Sequence, residues 1–156
     1  MDDKAWYLRQ EPLTTKAATL YRWAGWMLIG ICLLHFVFWT VVTCHSWGTW
    51  ASGALWEYAN PQTLAALELN FEFWALPGSF MVPLLLLGLL IIRAARIRDR
   101  LPNYLAWVLL LWVLVSSLLL EPSGFPLGLI PSIMLMVAQK SNCYTYSRIL
   151  YKNKPS

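Results

Sequence analysis

All twelve lysines and arginines of this 156-residue chain fall in three short segments, each lying against an apolar run. Lys4, Arg9, Lys16 and Arg22 precede the first run; Arg93, Arg96, Arg98 and Arg100 follow the second; Lys140, Arg148, Lys152 and Lys154 close the chain. The runs themselves are "WAGWMLIGICLLHFVFWTVV", "FWALPGSFMVPLLLLGLLII", "YLAWVLLLWVLVSSLLL" and "FPLGLIPSIMLMVAQ". Crossing a bilayer core of about 30 Å as a helix takes about 20 apolar residues. The runs therefore predict transmembrane helices over about 23–42, 73–92, 104–120 and 125–141. Cations gather on cytoplasmic flanks, so the pattern predicts a cytoplasmic segment 1–22, an outer loop 43–72 and a cytoplasmic tail 142–156.

Composition agrees. Hydrophobic residues make up 58% of the chain and charged residues 13%, an excess that a small water-soluble core does not absorb. The expected fold is all-α: one integral membrane domain, an antiparallel four-helix bundle with N-in/C-in topology. Helix is the structure these runs admit, because lipid offers backbone groups no partner and no run alternates like a barrel strand. Pro77, Pro83 and Pro131 fall inside the second and fourth runs and are expected to bend them.

The 22 mostly polar residues before the first run are not a signal peptide pattern, and "VVTC" is a poor lipoprotein box, so the first run is read as a retained anchor. The net charge of +4 is spread over three flanks and forms no nucleic-acid patch. Cys32, Cys44 and Cys143 show no metal-binding spacing, and Cys44 and Cys143 are expected on opposite sides of the membrane. In the outer loop, Trp47, Trp50, Trp56 and Tyr58 suit a headgroup zone. "NPQTLAALELNFEFW" then reads as a helix start, with Asn60 as N-cap and Pro61 at the first helical position.

Few residues carry chemistry. Glu68 and Glu72, four apart, share a helix face at the outer end of the second run. They are either a solvated face or carboxylates on an outward cavity for a cation or amine. His35 lies in the first run, where a backbone carbonyl, Ser116, Ser117 or Glu72 are alternative partners. Trp74 and the hairpin residue Glu121 complete an acidic, aromatic outer mouth that favours cationic ligands. No GxSxG, HExxH, Walker A, GxGxxG or EF-hand pattern occurs, and no metal or cofactor is expected.

The order "GICLLH", "FEFWALPGSF", "LLLLGLLI", "LPNYLAWVLL" and "EPSGFPLGLIPSIML" resembles an uncharacterised bacterial family of small four-helix membrane proteins. The resemblance covers residues 22–139 and implies a domain of unknown function in a bacterial inner membrane. The hairpin "EPSGF" is one residue tighter than the family's pattern, and Pro77, Pro83 and the Trp-rich loop depart from it. The expected function is non-enzymatic: binding of a small ligand or partner at the outer mouth. One alternative is a proton- or cation-coupled transporter-like subunit using His35 and Glu72. Another is a structural or immunity-type partner of a second membrane protein, and a homodimer is a further expectation.

Overall fold

The computed structural model describes residues 12–57, 63–76, 78–120 and 124–152, which are helical with no strand among them. Helix α1 spans Thr15–Thr43 and runs through a 3-10 turn, Cys44–Ser46, into the short helices α2 (Trp47–Ala51) and α3 (Ala54–Glu57). Next come α4 (Leu64–Ala75), α5 (Met81–Ile97) and α6 (Asn103–Leu119). A 3-10 turn, Phe125–Gly128, leads into the last helix, α7 (Leu129–Lys152).

Several boundaries differ from the sequence expectation. The stretch expected as one helix over 73–92 is two helices, α4 ending at Ala75 and α5 beginning at Met81. The break is held together by side chains: Ser79 Oγ donates to the Leu76 carbonyl at 2.9 Å and accepts from the Met81 N–H at 3.3 Å. Helix α4 is capped by Thr63, whose hydroxyl accepts from the Ala66 N–H at 3.2 Å; Asn60 and Pro61 lie outside the described residues. Pro83 and Pro131 each take the third position of α5 and α7, where a helix has no use for the missing N–H, so neither bends a helix interior. Pro77 lies outside the described residues. The segment expected as a tail from 142 continues α7 to Lys152.

The chain divides into two compact units, residues 1–31 with 86–156, and residues 32–85. In the first unit, α1 meets α5 at paired glycines. A Cβ at Gly25 would stand 2.6 Å from Ile92 Cγ1 and 2.8 Å from the Gly88 carbonyl oxygen. Gly88 in turn faces Leu28 and Ile29, so the two helices run antiparallel at the contact. Helices α6 and α7 form an antiparallel hairpin in which Gly128 packs on Val113 and Phe125 meets Trp112 edge-on at 5.5 Å. The buried residues are mostly small, among them Ala17, Ala24, Ala95, Ala106, Ala138 and Ser132. Tyr21, 1% exposed, is the largest, with its hydroxyl bonded to Gln139 and the Leu101 backbone. After α5, Arg98 takes a left-handed conformation (φ 54) and Asp99 N–H returns to the Ala94 carbonyl at 2.9 Å, a Schellman closure. The Arg98 carbonyl then accepts from Leu13 N–H at 2.9 Å.

In the second unit, α1 runs antiparallel to α4. Trp39 meets Phe71 edge-on at 6.0 Å, and four residues earlier His35 bonds Ala75, four residues later.

Large apolar side chains are turned outward on every long helix: Trp23, Val37, Leu90, Trp107, Leu111 and Ile133 are all exposed. Thr15–Ala51 is the one described helical stretch long and apolar enough to cross a membrane. Asn103–Leu119 and Phe125–Ser141 are shorter apolar helices, so only one of the four expected spans reaches full length as a described helix.

Candidate functional site

The second unit contains a carboxylate taken out of water. Glu72 is 8% exposed, although it sits in the last turn but one of α4 with apolar residues on either side. A buried carboxylate is costly unless donors reach it. Two do, both from the turn that ends α1. Ser46 Oγ donates to Oε2, and His45 Nε2 lies 3.3 Å from Oε1. The two partners differ in kind: Ser46 is buried, whereas the His45 side chain is 68% exposed against 10% for that of Glu72. One oxygen is thus fixed inside the unit, and the other is covered only by a ring at the surface.

The turn is placed by α1. Thr43, fully buried, donates to the Trp39 carbonyl at 2.8 Å and accepts from Trp47 Nε1 at 3.3 Å. That hydroxyl ties the last turn of α1 to α2 and aims the intervening 45–46 pair at α4. Trp50, from α2, meets Phe73 edge-on at 5.9 Å, next to Glu72. Trp50 Nε1 and Thr40 Oγ1 are buried without a hydrogen-bond partner among the described residues.

His35 is held elsewhere. Its Nε2 is 2.8 Å from the carbonyl oxygen of Ala75, the last residue of α4. A carbonyl can only accept, so Nε2 carries the proton. Helix ends leave carbonyls without intrahelical partners, and His35 satisfies one at the break between α4 and α5. Phe80 flanks the ring at 5.3 Å, and the Cys32 thiol reaches the Met81 carbonyl at 3.6 Å. An ionisable residue in an apolar run therefore serves the backbone of the neighbouring helix.

Glu68 is exposed. Trp74 is also exposed, with its ring over Gly78, where a Cβ would come within 2.6 Å of it, and edge-on to Phe73 at 5.8 Å. Glu121 lies outside the described residues. The grouping present is Ser46, His45 and Glu72, and it unites residues 26 and 27 apart in sequence. Neither Ser46 nor the pairing role of His45 is visible in motif or periodicity; the one signal was the interruption "TCHS", Thr43 to Ser46, at the end of an apolar run. Among the described residues no three His, Cys, Asp or Glu side chains gather as a metal-ligand set.

No curated protein and no solved structure matches the chain. A family model described as "Family of unknown function (DUF6463)" matches residues 19–142, from the first turns of α1 into α7. With most of its length matched, the chain belongs to this family of unknown function.

Proposed function

We propose that the protein is a non-enzymatic, multi-pass protein of a bacterial inner membrane, with four antiparallel spans, both termini cytoplasmic, and a cation-recognising site at Glu72 on the outer side. The outward display of apolar side chains supports membrane residence. Small residues such as Ala24, Gly25, Gly88 and Ala106 share the interior with Leu28, Ile91 and Leu135, and Trp, Leu, Val and Phe side chains face outward in numbers that water does not tolerate. The shorter helices α5 and α6, 17 residues each, are at the lower limit for a span. The confinement of all twelve lysines and arginines to three flanks supports the orientation.

The observation that carries the binding reading is the asymmetry at Glu72. Ser46 holds one carboxylate oxygen from inside, while the exposed His45 ring covers the other. An amine or other organic cation can take the place of His45 without disturbing the Ser46 bond. His35 and Glu72 have separate partners, an arrangement that favours binding over a shared proton path.

A thermal-shift series on the purified chain with alkylammonium cations tests this. The wild type is expected to be stabilised, His45→Ala stabilised at lower cation concentration, and Glu72→Gln not at all. A shift that survives in Glu72→Gln, or no shift in any variant, sinks the site. Labelling intact cells with an impermeant maleimide tests the orientation, since exposed Cys44 should react from outside and Cys143 should not.

A further inference from the structure

The first unit carries a collar of cations with no ion pair among the described residues. Lys16, Arg22, Arg93, Arg96, Arg98 and Lys140 are exposed and Arg100 is half-buried, and no described carboxylate stands within ion-pair distance of any of them. The one described acid in their midst, Asp99, turns Oδ1 back to the Arg100 N–H at 2.8 Å. Arg100 Nε is enclosed without a hydrogen-bond partner among the described residues. Arg98 Nη2 donates to the neutral Thr15 hydroxyl at 3.5 Å. Like charges at this density repel, and a guanidinium without a carboxylate partner is a standing site for a tetrahedral oxyanion.

Helix geometry draws part of the collar together. Gly25 of α1 lies against Ile92 of α5, and the helices are antiparallel there. Arg22 is three residues before Gly25, and Arg96 is four residues after Ile92, so both stand about one turn to the same side of the contact. Arg93 is next to Ile92 itself. The Schellman closure at Arg98, tied by its carbonyl to Leu13, fixes the turn that presents Arg98 and Arg100 beside them.

What adjoins the collar identifies the anion. Trp23 and Trp26 on α1, Ile97 on α5, and Tyr104 and Trp107 on α6 are more than half exposed within the same unit, next to the cations in sequence or within a few residues of them. Aromatic side chains next to a ring of cations match the boundary between acyl chains and headgroups, where indole and phenol rings settle and phosphates lie just beyond. A nucleic acid or an acidic protein would need no such apolar border. We infer that the collar of Arg22, Arg93, Arg96, Arg98 and Arg100 binds the phosphate groups of anionic phospholipids in the leaflet that surrounds it. This inference rests on the membrane reading above.

The test reconstitutes the full chain into phosphatidylcholine vesicles with and without phosphatidylglycerol. Two quantities are read: resistance to alkaline carbonate extraction, which reports insertion, and Tm. The expected result is insertion into both, with a higher Tm in the anionic vesicles that vanishes at high ionic strength. A triple variant Arg22→Gln, Arg93→Gln, Arg96→Gln should keep its Tm in phosphatidylcholine and lose most of the rise. Affinity for the anionic lipid should fall roughly fivefold per charge removed. The triple lysine variant should retain most of the rise, and it keeps the test open if the glutamine variant fails to fold.

Extraction from phosphatidylcholine by carbonate would overturn the membrane reading itself. Insertion without a phosphatidylglycerol-dependent rise would overturn only the lipid site. So would a rise that high salt or the glutamine variant leaves intact. An equal rise with inorganic phosphate in detergent would assign the collar to a soluble anion and overturn the lipid source.

Discussion

Gly25 and Gly88 meet backbone to backbone: a Cβ on Gly25 would lie 2.8 Å from the Gly88 carbonyl oxygen, and a Cβ on Gly88 3.0 Å from that of Gly25. Side chains also crowd the site, Ile92 Cγ1 at 2.6 Å from the Gly25 Cβ position among them, but the two carbonyl oxygens are main chain and cannot rotate aside. The contact is what lets α1 and α5 approach closely in the first unit. Gly25→Ala should destabilise the protein by about 1–3 kcal/mol through overpacking. Gly30→Ala, at an open position on the same helix, should be neutral or stabilising by up to about 1 kcal/mol. Thermal unfolding in detergent compares the two, and equal effects would deny the close approach.

The Glu72 carboxylate depends on Ser46 for its buried hydrogen bond. Ser46→Ala leaves that oxygen without a donor, at an expected cost of about 1–3 kcal/mol. His45→Ala removes an exposed, longer contact and should cost about 0–1 kcal/mol. The double variant Ser46→Ala, Glu72→Leu should recover much of the loss, because both polar partners are then gone. A Ser46→Ala protein as stable as the wild type would show that the hydroxyl is dispensable.

His35 is expected to act as a structural donor to the Ala75 carbonyl. His35→Gln can still donate an N–H and should retain most of the stability. His35→Leu strands a helix-end carbonyl and should lose about 1–3 kcal/mol. If leucine is tolerated and glutamine is not, the ring has another task, and the proton-path alternative regains support.

Tyr21 should shape the alkaline limb of stability. Burial pushes its hydroxyl above the usual value of 10.0, against the opposing pull of its bonds to Gln139 and Leu101 and of nearby Arg100. A raised folded-state value means that the folded protein holds the proton more tightly than the unfolded chain. The contribution is therefore complete below pH 10.0 and is lost as pH climbs through the folded-state value. Tyr21→Phe should flatten this alkaline fall relative to the wild type, read as Tm against pH from neutral to strongly basic. Parallel curves would place the hydroxyl in contact with solvent.

Part of this protein is determined locally, and the sequence carries that part openly. Apolar runs such as 23–42 and 104–120 predict helices by their length, composition and lack of strand alternation, and α1 and α6 cover them closely. The stretch "GFPLG" also signals a turn through glycine and proline, and its Phe125, in the 3-10 turn Phe125–Gly128, packs back on Trp112. Membership of a family of unknown function was legible in the order of short motifs from "GICLLH" to "EPSGF".

Other features were decided by contacts between residues far apart in the chain. Pro77 signals a bend within the run 73–92 but not the partners at the break between Ala75 and Met81, where Ser79 bonds the Leu76 carbonyl and the Met81 N–H and His35, 40 residues away, takes the Ala75 carbonyl. The pairing of Glu72 is likewise invisible to periodicity, because its partners lie beyond the end of another helix. Sequence pattern specifies which backbone groups must be satisfied and which side chains avoid water. Which donor reaches a given carboxylate or carbonyl depends on how α1 lies against α4, and that is a property of the packed unit alone.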